Sequence, residues 1–203
     1  MDFAWLAGVT GFALTMAATP GPNNTIAAAS GASYGVARSL PLMAGIGSGV
    51  AVIMLVVTTF GAAVVADPRV GAVLKWLGIA YLLWLAWKIA MTQTSASSST
   101  KLARNAPLSF LQGAAFQFVN PKLWVMVSGT VVTYGQTANG LQAPSVALLF
   151  AAIFGSLSFL STAGWATLGA SVGRLLNSPR SLRVFNVVMA VLLLISLIPV
   201  VFE

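Results

Sequence analysis

The chain has 203 residues, 58% of them hydrophobic and 6% charged, with a mean hydropathy of +0.93. Soluble domains carry roughly 25% charged residues, so ten Lys and Arg with three Asp and Glu cannot cover a water-facing globule. The apolar content also excludes a disordered chain. What remains is an all-α polytopic membrane protein. A span takes about 20 apolar residues, so six spans with short loops use up the chain and leave no room for a sizeable soluble domain. The net charge of +7 is scattered, without a basic patch interleaved with aromatics, so no nucleic-acid partner is expected. Cysteine and histidine are both absent, which removes disulfides, thiolate chemistry, imidazole bases and the usual metal ligands. No metal or cofactor is expected.

Asp2 and the lack of a basic leader make the first apolar segment a retained span rather than a cleaved signal. Helix 1 is predicted from about Phe3 into the low thirties, interrupted at Thr19-Pro20-Gly21-Pro22. Helix 2 covers about Leu40 to Val65 and stops at Asp67-Pro68-Arg69. Helix 3 covers about Val70 to Met91, and the polar, Ser-rich stretch Thr92–Ala106 reads as a linker. Helix 4 spans about Leu108 to Thr133, helix 5 about Ser145 to Gly173. Arg174 to Arg183, with Asn177 and Pro179, reads as a loop before helix 6 at about Val184 to Val201.

Loops 1–2, 3–4 and 5–6 share one side and carry Arg38, Lys88, Lys101, Arg104, Arg174, Arg180 and Arg183. The opposite side carries only Arg69 and Lys75. Lys and Arg mark cytoplasmic loops, so both termini are expected on the outer side of an inner membrane. Five spans, with helix 1 not crossing, is the rival topology. The linker divides the chain into residues 1–91, the linker 92–106, and residues 107–203. Three spans per half is an odd number, so the second half must be inverted relative to the first, a recurring transporter plan with the substrate site at the repeat interface.

Both halves carry a break about half-way through their first helix: Thr19-Pro20-Gly21-Pro22-Asn23 and Asn120-Pro121-Lys122. Thr and Asn are N-cap residues and proline suits the first helical position, so Thr19-Pro20 and Asn120-Pro121 read as helix starts in mid-membrane. Gly21 adds backbone freedom. A helix start exposes unpaired N–H groups at the positive end of the helix dipole, costly in hydrocarbon unless they line a cavity. A carboxylate is the natural partner.

Lys122 lies 15 residues after Pro107, roughly 22 Å along a helix at 1.5 Å per residue, too deep to reach an interface easily. No Asp or Glu falls within any span, so the expected counter-charge is the carboxylate of a substrate. The alternative is that Lys122 contacts carbonyls freed by the break. Asn23, Asn24 and Gln117 either bind a polar group of the substrate or cap the freed backbone. The expected substrate-binding set is therefore Thr19, Pro20, Gly21, Pro22, Asn23, Asn24, Gln117, Asn120, Pro121 and Lys122. The pairs Gly45/Gly49 and Gly169/Gly173, with Ser156, Ser158, Ser161 and Thr162, read first as helix packing within the chain, leaving a homodimer interface or a transport path as the other uses. Tyr81 can face substrate, but reads first as an interfacial or core aromatic.

At these residues the chain resembles the LysE/RhtB family of amino-acid exporters. The resemblance is carried by ATPGPNN at 18–24, Gly35 with Arg38, Gly45/Gly47/Gly49, LGIAYLLWLAWK at 77–88 and FQFVNPK at 116–122, in both halves and in family order. WLAWKIA at 84–90 and QFVN at 117–120 are most similar to the branch exporting cysteine and O-acetylserine. The resemblance implies an inner-membrane exporter of amino acids or close derivatives, driven by an ion gradient rather than ATP. Some relatives carry an acidic residue in the second span. Gly45–Gly49 has none here, which argues against cationic substrates and a carboxylate proton site. The expected function is a secondary exporter working by alternating access, with H+ as the coupling ion and Lys122 as the titrating group, not an enzyme. Two other readings compete. One is a passive channel, for which no Asp/Glu ring or filter-like loop is present. The other is an intramembrane hydrolase in which Lys122 activates Ser128.

Overall fold

The computed structural model describes residues 3–65, 68–91, 106–135, 144–176, 178–195 and 197–198. Within them the chain is helical: α1 (Phe3–Ala18), α2 (Pro22–Tyr34), α3 (Val36–Val65), α4 (Pro68–Ala90), α5 (Phe110–Phe118), α6 (Pro121–Thr130), α7 (Pro144–Leu175) and α8 (Pro179–Ile195). A π-helical turn, Val131–Gly135, prolongs α6. The predicted linker over 92–105, Asp2, Asp67, Lys101, Arg104, Asn177 and Glu203 lie outside the described residues, as does the Arg69 side chain.

By length and composition α3 (over Val36–Phe60) and α7 can each cross a membrane, and α1 with α2 makes a third candidate span bent by 53°. At 32 residues, α7 is about 48 Å long, more than a hydrocarbon core needs. The outward surface is apolar, with Leu14, Val52, Phe60, Leu83, Leu148, Leu160 and Val191 all exposed. A helix that is hydrophobic all round is expected where lipid replaces water.

Several predicted boundaries move. Gly35 alone separates α2 from α3, at φ 79, in the left-handed region that favours glycine. α8 starts at Pro179, inside the stretch read as a loop. Ser178 accepts from the Ser181 N–H at 3.1 Å with proline in the next position, a proper helix start that the arginines disguised.

The two broken helices run antiparallel, side by side. Tyr134 lies against Gly8, Phe12 against Gly129, the Lys122 ammonium against Thr19, and Gln117 against Asn23, so the breaks are level. α3 and α7 pack against each other at Gly47 and Gly155. α2 lies along α7 on a seam of small residues: Cβ atoms at Gly31, Gly169 and Gly173 would fall on the carbonyls of Ala166, Ala28 and Ala32. Gly45 and Gly49 admit the backbone of α5 in the same way. The glycine pairs therefore serve packing within the chain.

The same contacts sort the ends of the bundle. Tyr34 and Lys88 line one cleft, Arg38 stacks over Tyr34 at 5.7 Å, and Gly173, next to Arg174, meets Ala32. Asn186 pairs with Ser33, so α8 begins there too, with Arg180 and Arg183 in its first turns. At the opposite end Trp5 donates to the Tyr134 carbonyl and stacks on Phe150 at 5.8 Å. The basic side chains described are thus gathered at one end, save Lys75 and Lys122.

Candidate functional site

Both breaks end one helix and start another, and the two ends are treated differently. At the end of α1, freed carbonyls are taken up by side chains. Asn24 Nδ2 donates to the carbonyls of Ala17 (2.8 Å) and Thr19 (2.9 Å), and Ser161 Oγ donates to Ala17 at 2.7 Å. Lys122 Nζ donates to the Thr19 carbonyl at 2.5 Å. This is the contact with a freed carbonyl that was one of the two expectations for Lys122. A cation at the negative end of the α1 dipole is favourably placed. An ammonium has three donors, so this bond leaves others to spend.

At the starts of α2 and α6 no side chain caps the backbone. Thr19 is not the N-cap expected of it: its hydroxyl bonds back to the Thr15 carbonyl, and Thr19 and Pro20 are exposed. The helix starts two residues later, with Gly21 as N-cap and Pro22 at the first position. The absence of a side chain at Gly21 leaves room for Lys122, whose Cδ would lie 2.8 Å from a Cβ there. At the second break Asn120 is the N-cap and Pro121 the first helical residue, as the sequence indicated.

Between the breaks lies a small cleft of about 30 Å³, partly open to the surroundings, well below the roughly 300–1,000 Å³ usual for ligand sites, so a substrate must widen it to enter. Gly21, Asn23, Asn24, Asn120 and Lys122 line it, with Ser158 and Thr162 of α7 and Met16, Ala17, Val50, Leu123 and Met126 as apolar wall. Gln117 is fully buried just behind, in a reciprocal amide pair with Asn23 at 2.9 Å both ways. Thr19, Pro20, Pro22 and Pro121 shape the breaks without lining the cleft. The sequence had offered Ser158 and Thr162 first as packing residues; no periodicity distinguishes a serine facing a cleft from one facing a helix. Tyr81 stacks on Phe116 at 5.3 Å and does not line the cleft. Ser128 is exposed. Six residues beyond Lys122, it points about 120° away around α6, so the pair is not assembled as a nucleophile and base.

The chain matches the family described as LysE type translocator over residues 14–197. It is 34% identical over 188 residues to the cysteine/O-acetylserine efflux protein of Escherichia coli O1:K1 / APEC, and to the proteins so named in Escherichia coli strain K12 and Shigella flexneri serotype 5b. In each case 90% of this chain and 90% of the relative are covered. No solved structure matches.

Proposed function

The chain belongs to the LysE family of translocators, and from that premise we propose that it exports small amino acids or their derivatives across the inner membrane, with cysteine and O-acetylserine as first choices. The family match and the efflux proteins it resembles make it a membrane transport protein, not an enzyme. The observation that carries the mechanism is the convergence of two uncapped helix starts and Lys122 on one cleft. The substrate carboxylate sits there, accepting from the free N–H groups at the start of α2 and from Lys122.

The halves 1–91 and 107–203 act as inverted three-helix repeats joined by the 92–106 linker, six spans in all. The level, antiparallel breaks support this. Rocking of one repeat against the other opens the cleft to each side in turn. The end that gathers Arg38, Lys88, Arg174, Arg180 and Arg183 faces the cytoplasm. The coupling ion is the proton, and Lys122 is the ionisable side chain among the residues lining the cleft.

The test is efflux of radiolabelled cysteine from proteoliposomes with and without a pH gradient. The parent protein should give saturable efflux that the gradient accelerates, and Lys122→Ala should lower it by at least about tenfold, the worth of one charge-assisted hydrogen bond. Unsaturable flux indifferent to the gradient would mark a channel. Unchanged kinetics in Lys122→Ala would remove the proposed site.

A further inference from the structure

The amides behind the cleft form a chain whose polarity is set at one end. Gln117 Nε2 lies 3.1 Å from the Gly113 carbonyl, which can only accept, so this nitrogen must be the donor. Gln117 Oε1 therefore faces the other way, and accepts from Asn23 Nδ2 at 2.9 Å and from Asn120 Nδ2 at 3.2 Å. With its amide nitrogen committed to Gln117, Asn120 must turn Oδ1 away. That oxygen is buried without a hydrogen-bond partner, on a residue only 1% exposed in the wall of the cleft. It does not cap α6 either, although Asn120 is the N-cap. A buried acceptor left unpaired costs free energy, and the chain could have avoided it with an apolar side chain.

We infer that Asn120 Oδ1 is the acceptor for the α-ammonium of the substrate, so that the site selects α-amino acids over the matching carboxylic acids. The inference rests on the transport reading above. It adds a specificity element that neither the helix starts nor Lys122 supplies, since both recognise any carboxylate. Asn120 and Lys122 are two residues apart at the start of α6. In an α-amino acid the ammonium and carboxylate are borne by the same carbon, so two groups lining the same small cleft can address both. Thr162, which also lines the cleft, shares its one hydroxyl proton between the carbonyls of Ser158 and Phe159, which leaves its oxygen lone pairs as a second acceptor. A site built to hydrogen-bond a group rejects the analogue lacking it far more strongly than an apolar pocket rejects a change of size.

The experiment uses the full chain in proteoliposomes under reductant. It measures competition against radiolabelled cysteine by unlabelled cysteine and by 3-mercaptopropionate, the same molecule without its ammonium. In the parent, cysteine should compete better by about tenfold or more. Asn120→Leu should weaken cysteine by about tenfold while leaving 3-mercaptopropionate unchanged, so that the preference collapses towards one. Asn120→Ala, which removes the acceptor without adding bulk, should behave alike and stands in if the leucine variant does not fold.

Equal competition by the two ligands in the parent overturns the inference without touching the transport reading, as does a preference that survives in either variant. A parent that moves no cysteine and binds neither ligand, the latter read as thermal stabilisation of the purified protein, takes both down.

Discussion

A methyl group added at Gly21 would meet Lys122 Cδ at 2.8 Å and Nζ at 3.1 Å. Both are atoms at the far end of a flexible side chain, and Gly21 has an extended backbone, φ 179, that alanine can adopt. Gly21→Ala should therefore fold and melt like the parent while pushing Lys122 off the Thr19 carbonyl. We expect transport to fall by about tenfold, read as efflux from proteoliposomes alongside thermal unfolding in detergent. Gly11→Ala, where nothing lies within 4 Å, is the matched control and should do neither. A Gly21→Ala protein that transports normally would mean that the Lys122–Thr19 contact has no part in the cycle. Part of this geometry was legible in the sequence, because a lysine without any acid in a span has to find an acceptor. Which acceptor it finds was not. The carbonyl is supplied by a residue 103 positions away, and nothing local encodes that approach. The Asn23–Gln117 pair was out of reach for the same reason, since its partners lie 94 residues apart.

Helices meet here through their backbones, and the α2–α7 seam towards the basic end is one such joint. Cβ atoms at Gly31 and Gly169 would land on the carbonyls of Ala166 and Ala28, which are main chain and cannot step aside. Either Gly31→Ala or Gly169→Ala must pry the two helices apart, at a cost of about 1–3 kcal/mol typical of overpacking. Both should lower the midpoint of thermal unfolding in detergent. Gly164→Ala, on the same helix α7 with open space around it, should leave that midpoint unchanged. If all three melt together, α2 and α7 are not in contact as described. The existence of the breaks was readable at this scale because proline and polar residues are covalent interruptions of an apolar run. Their fine placement was not. Thr19-Pro20 and Gly21-Pro22 offer a proline-marked start signal twice, and nothing local chooses between them. The start of α8 was hidden for a different reason. Arginines at a membrane boundary look like a loop by composition, although they belong to the first turns of a helix.

The arrangement of the whole molecule follows from the antiparallel match of the two broken helices. Lining up Gly8 with Tyr134, Phe12 with Gly129 and Asn23 with Gln117 puts the N-terminal end of α1 beside the π-helical turn. It also leaves Tyr34 and the start of α5 towards the basic end. If each broken helix crosses the bilayer, Arg38 and Thr133 must then emerge on opposite faces, while Arg38 and Arg174 emerge on the same one. The chain has no cysteine of its own, so single cysteines report without background. Arg38→Cys and Arg174→Cys should react with a membrane-impermeant maleimide only after cells are permeabilised, and Thr133→Cys should react in intact cells. Reversal of all three would keep the inverted halves and overturn the assignment of the basic end to the cytoplasm. Arg38→Cys and Thr133→Cys reacting from the same side would be more damaging. The first break would then belong to a segment that enters and leaves by one face, as in the five-span topology. The two halves would lose their inversion, and a cleft reached alternately from both sides would lose the symmetry that lets one motion open either mouth.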